Sequence, residues 1–153
     1  MKLWRISNYE DLKGDGGIKT PGRWHNLGIT VVYLSESPSL AMLETLAHFE
    51  LDINEVPENY QLLEVEYPGR QGVRRLSDDS LIKEWRENED YTRAIGDEWL
   101  SSMQSALLRV PSAIVPHSYN YLLNPRHELA KTAKLLNCKA HPFDHRLIFQ
   151  KEQ

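Results

Sequence analysis

Between residues 14 and 28 the chain carries Gly14, Gly16, Gly17, Pro21, Gly22 and Gly28. No helix or strand interior tolerates that density of glycine and proline. The segment therefore predicts a long, shaped loop, placed where backbone must turn sharply or come close to something. Long ordered loops in small domains often carry function. The loop separates two segments of strand character. Residues 3–6 read as a short first strand, and residues 29–34 as a buried one, rich in β-branched and aromatic side chains.

The rest of the chain alternates irregularly between the two periodicities. Ser37 followed by Pro38 predicts a helix start, with the serine as N-cap and the proline in the first turn. That helix should run to about residue 49 or 51, apolar on most sides and therefore buried. Residues 61–67 alternate as a strand. Residues 78–86 and 91–105 read as helices with polar faces, the second weakened by Gly96. Strands are expected at 107–110 and 113–115, broken by Pro111. A helix is expected over 125–136, and a closing strand over 146–150. Without a regular βαβ rhythm, the fold class is α+β.

The chain has 153 residues, which suits one domain spanning 1–153. Its net charge of −4 argues against non-specific attraction to nucleic acid or an anionic membrane, while leaving room for a local basic pocket. The apolar share of 41% is enough for a core. One cysteine, Cys138, permits no intrachain disulfide and no cysteine-built metal site. The first residues lack the apolar segment of a signal peptide, and no stretch nears the ~20 apolar residues of a membrane span. A cytoplasmic location is the expectation.

Five residues are candidates for chemistry. Glu44 falls at i+4 from Leu40 on a helical stripe with Leu43 and Ala47, so it must be paired, hydrogen-bonded or facing a cleft. Arg23, inside the glycine loop, has the planar fork that suits phosphate oxygens, or else stacks on Trp24. Arg5 is a second anion clamp or an exposed strand charge. Tyr33 offers a stacking platform for a flat heterocycle, or ordinary core packing. Ser112, in an apolar stretch, needs a partner, either a carboxylate or a backbone group. Other signatures are missing. The glycines do not follow the strand-to-helix pattern of a dinucleotide fold, and there is no Walker loop. There is no nucleophile elbow. The histidines form no zinc motif, so no metal is expected.

Taken in order, several short stretches resemble one family. They are Leu3-Trp4-Arg5-Ile6, Gly22-Arg23-Trp24-His25-Asn26, Val32-Tyr33-Leu34-Ser35-Glu36-Ser37 and Leu40-Ala41-Met42-Leu43-Glu44. Further along come Gly96-Asp97-Glu98-Trp99-Leu100, Leu108-Arg109-Val110-Pro111-Ser112, Tyr121-Leu122-Leu123-Asn124-Pro125-Arg126-His127 and Phe143-Asp144-His145-Arg146-Leu147. The ordered set resembles the RES-domain family, toxins of Res–Xre toxin–antitoxin pairs. The resemblance implies a compact mixed sheet with surrounding helices, similar to the diphtheria-toxin group of ADP-ribosyltransferases. It implies NAD⁺ as substrate, with no metal. The catalytic set would be Glu44, Arg23, Tyr33 and Ser112, and the NAD⁺-binding set Arg5, Arg23 and Tyr33. Arg5 and Arg23 would hold the pyrophosphate, Tyr33 would stack on the nicotinamide, and Ser112 would orient Glu44 or shape the pocket. The implied partner is an Xre-type helix-turn-helix antitoxin, with the toxin commonly dimeric in the complex and DNA contact left to the antitoxin.

Four activities follow as expectations. The first is NAD⁺ cleavage at the nicotinamide–ribose bond, by water or phosphate. The second is transfer of ADP-ribose to a protein from the same pocket. An RNA-targeting toxin would need a basic face, which the charge balance opposes. A non-catalytic binding domain would have no use for Arg23, Tyr33 and Glu44 together.

Overall fold

The computed structural model describes residues 1–48 and 56–147. Among these residues seven strands form one sheet in the order β4-β5-β6-β2-β1-β3-β7. In chain order the elements are β1 (Lys2–Ile6), a single turn α1 (Gly16–Lys19), β2 (Val32–Ser35) and α2 (Pro38–His48). Then come β3 (Asn59–Glu66), β4 (Val73–Arg75), α3 (Glu89–Ser102), β5 (Leu107–Pro111), β6 (Tyr119–Leu123) and β7 (Lys134–Pro142). Of the described strands only β4 and β5 pair in parallel, bridged by α3, and every other pairing is antiparallel. The α+β class is as the sequence predicts.

The central strands are apolar on both faces because both faces are covered. Leu107 pairs with Leu123, and Leu108 with Leu122. Alternation sends these two pairs to opposite sides. Leu107 and Leu123 join Leu3, Val32, Leu34 and Val65 in one core. Leu108 and Leu122 join Trp24, Trp85, Trp99, Leu100 and Val110 in the other. The second core lies under the glycine-rich loop and α3. By the same alternation, Tyr33 and Ser35 of β2 share its face with Asn120 of β6.

Several local expectations change. Residues 78–86 form a 3₁₀ turn at Asp78–Ser80 and then irregular turns, anchored by the buried Trp85. Residues 113–115 are not a strand. They form a bend, held by Ser112, which accepts hydrogen bonds from the N–H groups of Ile114 and Val115 at 3.1 Å each. In place of a helix over 125–136 there is a 3₁₀ turn, Glu128–Thr132, and then β7, which pairs along β3 from Lys134 to Pro142. Residues 145–147 form another 3₁₀ turn rather than a strand. The remainder of that predicted strand, 148–150, and the predicted helix end past residue 48 lie outside the described residues. Helix α2 is not buried on most sides. Its buried residues are Leu40 and Ala41, while Leu43 is 42% exposed. The face turned toward the sheet therefore passes through Leu40, Ala41 and Glu44, not Leu43 and Ala47.

Gly96, expected to weaken α3, is what lets α3 dock. A Cβ there would collide with the carbonyl oxygen of Trp24. Among the described residues no helix is long and apolar enough to cross a membrane.

Candidate functional site

The glycine loop, one face of α2 from Ala41 to His48 and the strands β1, β2 and β6 enclose a cavity of about 430 Å³. That is within the range of small-molecule sites. Its walls include Arg5, Arg23, His25, Tyr33, Glu44 and Asn120. Four of the five residues singled out in the sequence thus meet at one cavity. The fifth, Ser112, stands behind it, bonded to Glu44.

Helix α2 positions Glu44. Ser37 caps the helix, its Oγ accepting from the N–H of Leu40 at 3.1 Å. Two turns on, Glu44 Oε1 accepts two hydrogen bonds. Ser112 Oγ donates at 2.7 Å and Asn120 Nδ2 at 2.6 Å. Ser112 Oγ itself accepts from the two backbone N–H groups of the following bend, so its own proton is left for the carboxylate. Both donors meet Oε1. Among the described residues no protein donor meets Oε2.

Tyr33 borders the same cavity from β2. Its hydroxyl accepts from the N–H of Trp24 at 3.1 Å and lies 2.7 Å from His25 Nδ1. The other ring nitrogen of His25 lies 3.2 and 3.1 Å from the carbonyls of Gly17 and Thr20. Carbonyls only accept, so Nε2 carries the proton and Nδ1 accepts from the tyrosine hydroxyl. Burial lowers the His25 pKa from 6.5, against the pull of the two carbonyls, which favours this neutral form. Burial likewise raises the Tyr33 pKa and keeps the phenol protonated. Gly22 lies against the edge of the Tyr33 ring so closely that a Cβ there would strike the hydroxyl.

The two arginines differ in how far they are already engaged. Arg23 donates from NH1 to the carbonyl of Arg86 at 2.9 Å and faces Glu89 at 3.7 Å. Among the described residues Arg5 makes one hydrogen bond, 3.3 Å to the carbonyl of Asp11. Its pKa is lowered from the ordinary arginine value by burial, with Asp11 pulling the other way. A guanidinium stays charged all the same. A desolvated cation with no carboxylate in ion-pair range, among the described residues, favours an anion beside it.

Sequence reasoning missed Asn120, Ser35 and the bonding of His25. Asn120 lies in β6, a strand the sequence reading did not place. One signal was available: asparagine is depleted in strands, so one beside an apolar run asks for a reason. Among the described residues no group of three or more His, Cys, Asp or Glu is placed to hold a metal ion.

The mixed-sheet fold agrees with the comparisons to known proteins. The family model described as RES domain matches residues 2–144, and the chain belongs to this family. It is 44% identical to Toxin Res of Pseudomonas putida, over 88% of this chain and 92% of that one. It is 36% identical to the Prs ADP-ribosylating toxin of a Sphingobium species, over 95% and 96%. Among solved structures, the M. tuberculosis MbcT–MbcA toxin–antitoxin complex contains a chain of the same fold. The TM-score is 0.75 at 14% identity, covering 92% of this chain and 84% of that one.

Proposed function

We propose that the protein is an NAD⁺-cleaving toxin of a toxin–antitoxin pair, acting at the nicotinamide–ribose bond. The observation that carries this reading is Glu44. Its carboxylate is held by two donors on one oxygen and borders a cavity lined by a tyrosine and two arginines.

The chemistry asks for little more. The nicotinamide of NAD⁺ is a cationic leaving group, so the C1′–N bond breaks with its electron pair passing to nitrogen and no general acid is needed. Ordinary glycosides, by contrast, use two carboxylates. The remaining charge develops on the ribose as an oxocarbenium-like centre. A fixed carboxylate that hydrogen-bonds the ribose hydroxyls stabilises that charge. Arg5 and Arg23 hold the pyrophosphate, Tyr33 packs on the nicotinamide, and Ser112 keeps Glu44 in place. Arg23 exchanges part of its contact with Glu89 for phosphate oxygen. Positioning of this kind supplies much of the rate. Water or phosphate then attacks C1′ and gives its proton to solvent. Growth arrest follows from NAD⁺ loss in the cytoplasm. The partner in this reading is an Xre-type antitoxin that covers the cavity, with the toxin dimeric in the complex.

A second reading, transfer of ADP-ribose to a protein, draws support from the name of the Sphingobium relative, an ADP-ribosylating toxin. The two differ in acceptor only. Purified protein incubated with NAD⁺, with and without phosphate, should release nicotinamide. Glu44→Gln should lower that rate by about 10²-fold or more, as expected for loss of a group acting on transition-state charge, with the fold intact by circular dichroism. Wild-type turnover in the Gln variant would overturn the role of Glu44. Labelled NAD⁺ in a lysate distinguishes the second reading, which predicts a persistent labelled protein band.

A further inference from the structure

We propose that Asn120, locked by Ser35, is a positioning residue that aims the Glu44 carboxylate. This rests on the reading of Glu44 as the group that stabilises the ribose cation. Ser35 Oγ donates to Asn120 Oδ1 at 2.8 Å. A hydroxyl could serve either end of the amide, but the Glu44 carboxylate only accepts, so Nδ2 faces it and Oδ1 takes the Ser35 proton. Nδ2 donates to Glu44 Oε1 at 2.6 Å. A flipped amide would bring two oxygens together at that distance.

The lock is part of the strand pairing. Ser35 and Asn120 are direct cross-strand partners of β2 and β6, and Asn120 is also paired with Val110 of β5 on its other side. Asn120 therefore belongs to a strand held on both edges. Ser35 is buried, at 5% exposure, so its hydroxyl has no water to prefer over the amide. Ser35 also ends β2, and α2 begins three residues later at Pro38. The lock and the carboxylate that Asn120 aims thus lie on consecutive elements, with little freedom between them.

Ser112 approaches Glu44 from a different element, the bend after β5. Its hydroxyl and the Asn120 amide meet the same oxygen. Rotation of the carboxylate would break both bonds at once, and Oε2 is left for the ligand. Ser112 alone would leave the carboxylate a single tether. The Asn120 amide turns that tether into a fixed orientation.

The test uses steady-state NAD⁺ turnover together with NAD⁺ binding by calorimetry. Asn120→Ala should lower kcat about 10- to 100-fold, the scale of a small misplacement of a catalytic group. KM and the binding constant should stay within about threefold of wild type, because the arginines and Tyr33 are untouched. Ser35→Ala removes only the lock and should lower kcat by a smaller factor, about fivefold, in the same direction. Asn120→Asp supplies a readout that mere structural support would not give. At low pH the introduced carboxyl is protonated and can donate to Glu44, so activity should recover. At higher pH two carboxylates face each other and activity should fall, giving an alkaline limb absent from the wild type. Should Asn120→Ala not fold, the Ser35→Ala turnover and the Asn120→Asp pH profile decide. A kcat within twofold of wild type in the folded variants, a loss carried by KM, or an Asn120→Asp profile matching the wild type would overturn the inference. If the wild type itself releases no nicotinamide, the functional reading fails first and takes the inference with it. That result is visible before any variant is compared.

Discussion

His25 ties the glycine loop to the sheet through one ring. Nε2 donates toward the carbonyls of Gly17 and Thr20 while Nδ1 accepts from Tyr33. Protonation would put an N–H against the tyrosine O–H and force that hydroxyl to turn. The residue is 2% exposed, and its pKa lies below the ordinary 6.5 because of burial. The sign follows from linkage. Below pH 6.5 the unfolded chain binds this proton before the folded one does, so stability is complete above that pH and falls as pH drops toward the folded value. The slope from this one group cannot exceed about 1.4 kcal/mol per pH unit. Urea denaturation between pH 7.5 and 5.5 should show stability falling with pH in the wild type, and falling less in His25→Gln. Equal slopes in the two proteins would remove His25 as the cause. The histidine was visible in the sequence beside Gly-Arg-Trp. Its bonding was not, because the two carbonyls and the phenol reach it through the path of the loop.

Helix α3 illustrates the next scale, since one face of it grips the loop backbone. Thr92 Oγ1 donates to the carbonyl of Arg23, and Arg93 Nε to that of Gly22. Asp97 accepts from the Asn26 N–H and from its side-chain amide. Between these contacts Gly96 lets the Trp24 carbonyl come against the helix. By propensity alone Gly96→Ala would gain about 1 kcal/mol in a helix. Here the added methyl must push α3 and the loop apart, at a typical overpacking cost of about 1–3 kcal/mol. Gly96→Ala should therefore destabilise the protein in urea denaturation and raise KM for NAD⁺, since the displaced loop carries Arg23. A stabilised variant would show that the loop yields without strain. Helix α3 and the cap of α2 were legible from caps and periodicity. The strands β6 and β7 were not. Pro116 and Pro125 bracket the first, and Pro125 read as the opening of a helix, while the second, exposed along much of its length, lacks an apolar alternation. Pairing with β3 makes it a strand, and pairing is not local.

At the scale of the whole molecule, the net charge of −4 and the local charge at the cavity have opposite signs. On the proposed function, the attraction for NAD⁺ is then short-range, supplied by Arg5 and Arg23, with no long-range steering. KM for NAD⁺ should rise by no more than about tenfold between roughly 50 and 200 mM salt, because only a contact or two with phosphate is involved. A protein making many nucleic-acid phosphate contacts would lose about 10³–10⁵ in affinity over the same range. A salt dependence that steep would favour an RNA target instead.

By itself the sequence determined the α+β class, the loop at 14–28 apart from the helical turn Gly16–Lys19 within it, the start of α2, and four of the residues that border the cavity. Each of these is written in local chemistry: glycine density, a serine–proline cap, a carboxylate on a helix face, an arginine among glycines. Only the tertiary structure decided that Asn120, held by Ser35, meets Glu44, that His25 bonds Tyr33, and that Gly96 is a docking point. Those depend on which strands become neighbours and on how the loop lies against α3. Residues 35, 44, 112 and 120 are far apart in the chain. They converge because β2, β5 and β6 pair side by side and α2 follows directly from β2. Cross-strand register is set by burial on both faces of the sheet, which no local window of sequence contains.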